Sequence, residues 1–221
     1  MLFSAADHDR IANAIRAAEA RTTGEIVVIV SHRTHRYTTT ALSLAALIAL
    51  ALPFTAVLFG WSPAALVPQW GLPEDQERHG LEVLIVAQAL LFIATLGTAL
   101  FTPLAHTLTP KGLKRDRVHA EALTQFRARG LDATTGRTGV LLYIDEPDHV
   151  AEIIADTGIY EKVPPDHWAD TIDALIHGIK AGLPSEGLVN AITLAGDVLA
   201  EHFPGTHQNP NELPDHLIEL H

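Results

Sequence analysis

The chain of 221 residues has no cysteine, one methionine, and two long stretches without a single acidic or basic side chain other than histidine. Lacking cysteine, it can form no disulfide, so nothing in its composition marks an oxidising compartment, and no cysteine cluster is available for a metal. The first uncharged stretch covers 37 residues between Arg36 and Glu74. The second covers 28 between Glu82 and Lys111 and holds only the titratable His106. An apolar leader is also missing. The first 24 residues carry Asp7, His8, Asp9, Arg10, Arg16, Glu19 and Arg21, which argues against a cleaved signal peptide and makes the expected anchor an internal one. There is no Walker A loop, no Rossmann glycine fingerprint, no GxSxG elbow and no HExxH or HxH pair. These absences argue against nucleotide-dependent chemistry and serine hydrolysis. They leave open a hydrolase that uses scattered carboxylates.

What is present is ordinary in amount and unusual in distribution. Hydrophobic residues make up 48% of the chain, close to the globular average. Thr39 to Gly60 and Val83 to Leu104 concentrate them in two runs of 22 residues. At about 1.5 Å per residue each run spans roughly 33 Å as a helix, enough to cross a hydrocarbon core of about 30 Å. A core helix of a soluble protein is the alternative for shorter runs. Two runs of this length, joined by a linker bearing Trp61 and Trp70, predict a transmembrane hairpin over residues 37–108. Pro53 is expected to kink the first span, and Glu82 to lie at the boundary of the second; neither prevents insertion. Arg21, Arg33 and Arg36 precede the first span and Lys111, Lys114, Arg115 and Arg117 follow the second, while the linker offers only Arg78. The positive-inside rule then places the soluble part and both termini in the cytoplasm, with the protein integral to the cell (inner) membrane.

The net charge of −11 is unevenly placed, with 15 acidic and only two basic residues, Lys162 and Lys180, from Thr138 to His221. Such a surface repels phosphate backbones and excludes nucleic acid as a partner. The basic cluster Lys111 to Arg117 is instead drawn to anionic lipid, so the expected partners are the bilayer and membrane proteins, with no nucleotide.

Outside the hairpin, the pattern predicts helices and strands alternating. Ser4 with Asp7 three residues on predicts a helix start, and Ile11, Ala14, Ile15 and Ala18 supply its apolar stripe. EIVVIV (Glu25 to Val30) and GVLLYI (Gly139 to Ile144) read as strands covered on both faces. A helix is predicted over Lys114 to Arg129. A turn over Asp145 to Asp148 and a third strand over His149 to Asp156 follow GVLLYI, with two helices, Asp166 to Ala181 and Ser185 to His202, after them. The first of these is expected to bury Trp168, Ala169, Ile172, Leu175, Ile176 and Ile179. The tail from His202 reads as loop with a short apolar end. If the first two strands are parallel neighbours, their crossover contains the hairpin, and Ser31, His32, Asp145 and Glu146 gather at strand ends where α/β sheets bind ligands, near the bilayer.

TGEIVVIV at Thr23 to Val30, RTGVLLYI at Arg137 to Ile144, HVAEIIADTGI at His149 to Ile159, EHFP at the end of the last helix and NELPD at Asn211 to Asp215 together resemble the TPM domain family. The family is named for plant thylakoid and nematode representatives and is widespread in bacterial membrane proteins. The resemblance implies an α/β fold, a three-layer α/β/α sandwich with a small mixed sheet. Here residues 1–36 and 109–221 form it, interrupted by the two-helix hairpin. It also implies a divalent-cation site in some members, acid phosphatase activity in a plant member, and assembly or maintenance of membrane complexes in others. The chain departs from the plant pattern in carrying the hairpin inside the domain and on the cytosolic side.

The candidate residues each have a plainer reading beside the chemical one. Asp156-Thr157-Gly158 spells the triplet of aspartic proteases. That chemistry needs two carboxylates sharing a proton in an all-β frame, so a strand-end turn is expected, with Asp156 a candidate for a cation site. Asp145, Glu146 and Asp148 could offer oxygen ligands to Ca²⁺ or Mg²⁺, although the proline between them equally marks a solvated turn. Asp145 and Asp156 are thus the candidate metal ligands. Asp166, Asp170, Asp173 and His177 share one helical face, expected to be solvated, and His202 and His207 flank a turn. Two functions follow: an interaction or assembly and maintenance module for membrane proteins, or a divalent-metal-dependent, acid-phosphatase-like hydrolase.

Overall fold

A computed structural model of the chain describes residues 3–62, 65, 73–205 and 211–221. The chain divides into two compact units, Met1–Thr34 with Lys111–His221, and His35–Pro110.

The first unit is built on a four-stranded sheet in the order β3-β2-β1-β4. Its strands are β1 (Glu25–Ser31), β2 (Gly139–Asp145), β3 (Val150–Ala155) and β4 (Leu217–Leu220). The central pair β1 and β2 is parallel, β4 is parallel to β1, and β3 is antiparallel to β2, so the sheet is mixed as expected. Every residue of β1 and β2 is buried, which is why both read as unbroken apolar runs. Alternate side chains serve two cores. Ile26, Val28, Val30, Val140, Leu142 and Ile144 meet α1 (Ala5–Glu19), α7 (Ala169–Lys180) and α8 (Pro184–His202) through Ile11, Ile15, Leu175, Leu188 and Ile192. Val27, Ile29, Leu141 and Tyr143 meet α5 (Lys111–Ala128) through Val118, Ala122 and Phe126. The result is a three-layer α/β/α arrangement.

The predicted capping box forms. Ser4 Oγ accepts from the Asp7 N–H at 3.2 Å, and the Asp7 carboxylate accepts from the Ser4 N–H at 3.0 Å, fixing where α1 begins. Three details differ from the pattern. The tail is not all loop: its apolar end is β4, too short to announce itself by alternation. The helix predicted from Asp166 opens as a 3-10 turn over Pro165–Trp168. Ala169 is exposed while Thr171 and Gly178 are buried, because the inner face of α7 meets α8 at a glycine contact. A Cβ on Gly178 would lie 2.3 Å from Gly187 Cα. That approach selects glycine on both helices.

The second unit contains α2 (Thr38–Leu58), α3 (Pro73–Phe101) and α4 (Leu104–Leu108). Both α2 and the Asp75–Phe101 part of α3 are long and apolar enough to cross a membrane, and only 22% and 6% of their apolar windows are buried. A core helix of a soluble protein buries most of such a window; these do not. Small residues face inward, with Ala41, Ala45, Ala49 and Ala99 buried, while Leu47, Leu50, Phe54, Val57, Ile85, Val86, Leu90 and Ile93 point outward. The helix α2 runs through Pro53 as one element. The second helix starts earlier than its uncharged run because its polar first turns are helical too, with Arg78 Nε 3.3 Å from Glu82 Oε1 at the favourable i,i+4 spacing. Of the predicted linker, residues 63–64 and 66–72, Trp70 among them, lie outside the described residues.

Candidate functional site

Ser31, Asp145 and Leu220 stand level in the pairing register, and Val150 opens β3 opposite Asp145. The three parallel strands therefore end together where β3 begins, and Ser31, Asp145 and Glu219, with His32 and Glu146 just beyond the strands, bring polar groups to that end of the sheet. The pleat then sorts these residues by face.

On the α5 face lies a buried ion cluster. Asp145 is fully buried and the Asp148 side chain is 1% exposed. Arg117 Nη2 donates to Asp145 Oδ2 at 2.7 Å and also to Asp148 Oδ2, while Lys114 Nζ lies 3.4 Å from Asp148 Oδ1. The Asp148 N–H donates to Asp145 Oδ1 at 3.0 Å. Two carboxylates can stay ionised out of water only with such charged donors beside them. The positions of Lys114 and Arg117 on α5 supply both.

On the α1 face the polar groups form a chain. The His32 ring has Nδ1 at 2.5 Å from Glu146 Oε2 and Nε2 at 2.8 Å from Glu219 Oε2; Glu219 Oε1 lies 2.8 Å from His8 Nε2. The His32 ring thus bridges two carboxylates, one at each of its nitrogens. His221 stacks on it, with centroids 5.1 Å apart. Burial pushes the Glu219 carboxyl up, but its bonds with His32 and His8 outweigh this and hold it below the ordinary range. Burial likewise works to raise Glu146, and its bonds, that with His32 among them, bring it down. Beside Glu146 opens a cavity of about 180 Å³, walled by Ile144, Val150, Ala151, Ile176 and Ile179 and edged by His149 and Lys180.

Asp156 lies elsewhere. Its N–H donates to the carbonyl of Gly139, the first residue of β2, at 2.9 Å, whereas Asp145 is the last residue of that strand. Six residue steps at about 3.3 Å put them roughly 20 Å apart. They cannot serve one ion. Asp156 caps the short α6 (Thr157–Tyr160), accepting from the Thr157 N–H at 2.6 Å, and Arg137 Nε lies 3.0 Å from Oδ2 as an ion pair outside hydrogen-bond alignment. Among the described residues no three His, Asp or Glu side chains are grouped so as to hold a metal. Asp166, Asp170, Asp173 and His177 are all exposed. His202 Nδ1 bonds to the Val198 carbonyl at 3.0 Å, and His207 falls outside the described residues.

The same end of β2 that carries Asp156 also has an acidic group around the start of β1. Glu25 is 2% exposed and accepts from the Glu212 and Leu213 N–H groups, each at 3.3 Å. Glu19 accepts from the Ile26 N–H at 2.8 Å. Sequence reasoning singled out neither of these, nor Arg117 as the partner of Asp145, nor His8 and Glu219. The lone glutamate opening an apolar strand was the one local signal available for Glu25. The others are brought in from distant segments.

The family model described as the TPM domain matches residues 105–198. No curated protein matches the chain. Among solved structures, the NMR structure of BA42 protein from the psychrophilic bacterium Bizionia argentinensis sp. nov. is similar in fold. It has a TM-score of 0.59 and 21% identity, with 99% of this chain and 96% of that one covered. The recognition made from the strand and turn motifs is thereby borne out by the family model, whose matched segment runs from α4 into α8.

Proposed function

We propose that the protein is a membrane-anchored TPM domain that serves as an interaction or assembly and maintenance module for membrane proteins. The observation that carries this reading is the position of the hairpin. The unit His35–Pro110, with its two outward-apolar helices, is inserted between β1 and β2, neighbouring parallel strands of one sheet. An anchor placed in a crossover ties the sheet edge to the bilayer by two chain segments, whereas a terminal anchor would tether it by one. The carboxylates at that edge support the same reading, since Asp145 and Asp148 are engaged by Arg117 and Glu146 by His32. Charge bias favours cytoplasmic placement of the domain and both termini.

The absence of cysteine makes the topology directly measurable. In intact cells a membrane-impermeant maleimide is expected to label a Ser62→Cys variant and to reach Asp132→Cys only after lysis; the reverse pattern overturns the orientation. For the activity, the detergent-purified chain is expected to leave phosphomonoesters intact with Ca²⁺, Mg²⁺ or chelator. Metal-dependent hydrolysis that disappears in Asp145→Asn would replace the module reading with the hydrolase.

A further inference from the structure

The cavity at the start of β3 has an unusual balance of charge. Its walls are hydrocarbon, from Ile144, Val150, Ala151, Ile176 and Ile179. Four polar residues also line it, and they divide sharply. Its two carboxylates are already engaged, Asp145 by Arg117 and Glu146 by His32. Its two basic residues are not: neither Lys180 nor the His149 ring makes a hydrogen bond or ion pair with any described residue. Both are exposed at the rim. Lys180 is one of only two lysines or arginines after Thr138, among 15 acidic residues. A lone cation on such a surface would ordinarily find an acidic neighbour. This one is left over at the mouth of an apolar cavity. His149 is held there with φ at 53°, in the left-handed region that a non-glycine residue adopts at a cost.

We propose that this cavity binds a small amphipathic carboxylate, with its hydrocarbon body among Ile144, Val150, Ile176 and Ile179 and its carboxylate at Lys180 and His149. The volume sets the size of the body. A cavity of about 150 Å³ lined by aliphatic side chains takes up benzene, so about 180 Å³ accommodates one six-membered ring or a branched chain of similar bulk. The charge balance sets the sign of the head group. A ligand ammonium would have to compete with Arg117 or His32 for carboxylates already bonded to them, while a carboxylate meets two donors without partners. Location agrees with chemistry, because the cavity lies beyond the C-terminal end of β2, where parallel strands present ligand sites. This site is independent of the module reading and would stand if that reading failed.

The test uses the full-length chain in detergent, with methyl NMR of its isoleucine and valine residues during titration with benzoate. Saturable shifts are expected at Ile144, Val150, Ile176 and Ile179, with benzylammonium causing none. One charge-assisted hydrogen bond corresponds to about a tenfold change in affinity or more, so Lys180→Gln is expected to weaken benzoate at least tenfold. Its unchanged methyl spectrum without ligand would show the fold intact. Ala151→Leu, which narrows the cavity without touching the charges, is expected to abolish the shifts. No saturable shift at these methyls overturns the proposal, as does equal binding of benzylammonium or an unaltered affinity in Lys180→Gln.

Discussion

Glu19 offers the sharpest test of how this fold handles charge. It closes α1 and accepts the Ile26 N–H at 2.8 Å where β1 begins. Burial pushes its carboxyl from 4.5 up to about 8; the Ile26 bond works the other way, and the negative charges of Glu25 and Asp215 add to the rise. The folded chain therefore keeps a proton that the unfolded chain releases. Below about 4.5 this stabilisation is fully present, and it is lost as the pH climbs through 8. At about 1.4 kcal/mol per pH unit, the span from 4.5 to about 8 sets a ceiling of about 5 kcal/mol. Because Glu19 is partly exposed, solvent screening lowers the expected effect to about 2–3 kcal/mol. Glu19→Gln keeps an acceptor for Ile26 and cannot ionise. It should match the parent at pH 5 and exceed it at pH 8.5 by that amount, roughly 5–10 °C in Tm for a unit of this size. Fluorescence of Trp168, buried in this unit, follows unfolding once Trp61 and Trp70 are replaced by phenylalanine. Parallel stability curves for Glu19→Gln and its parent between pH 5 and 8.5 would refute the assignment.

Two further substitutions probe the packing around the sheet. Arg117→Met removes the donor that faces both Asp145 and Asp148, and stranding buried carboxylates should cost about 3–5 kcal/mol, with Lys114 keeping the loss near the lower figure; urea unfolding at pH 7 measures it, and a loss below 1 kcal/mol contradicts the ion cluster. Gly178→Ala drives a methyl group against the Gly187 backbone and should cost about 3 kcal/mol or more, whereas Gly112→Ala, with nothing within 4 Å of the added carbon, should leave the melting temperature the same or slightly higher.

The parts that could be read from sequence were those encoded locally. The two fully buried strands announce themselves as EIVVIV and GVLLYI, the capping box as Ser4 and Asp7, and the two long apolar helices as runs without charge. The strand β4 could not be read this way. Four residues, Leu217 to Leu220, show too few alternations to distinguish a strand from a loop, and it forms because β1 presents an open edge for it to pair with. The site was half legible for a related reason. Strand ends predicted that Ser31, His32, Asp145 and Glu146 would meet at one edge, but the partners that define their chemistry arrive from elsewhere: Arg117 from a helix 28 residues before Asp145, and Glu219 from 187 residues beyond His32. The candidate ligands Asp145 and Asp156 stand eleven residues apart in sequence. The antiparallel return of β3 carries Asp156 back to the opposite end of β2.

That reversal also explains how one short terminal segment comes to join both poles of the sheet. The segment from Asn211 gives its Glu212 and Leu213 N–H groups to Glu25 at the start of β1, runs alongside β1 as β4, and ends with Glu219 on His32 just beyond β1. Its two ends are held by opposite electrostatic means. At the first, backbone donors compensate a carboxylate in a crowded acidic group; at the second, a carboxylate pairs with a histidine ring. The four-residue strand between them pairs with β1 and buries Leu217 and Leu220, one in each core, so polar ends and apolar contacts dock it together. His32 is also the first residue after β1, so Glu146 and Glu219 pair with the chain at the point where it leaves the sheet.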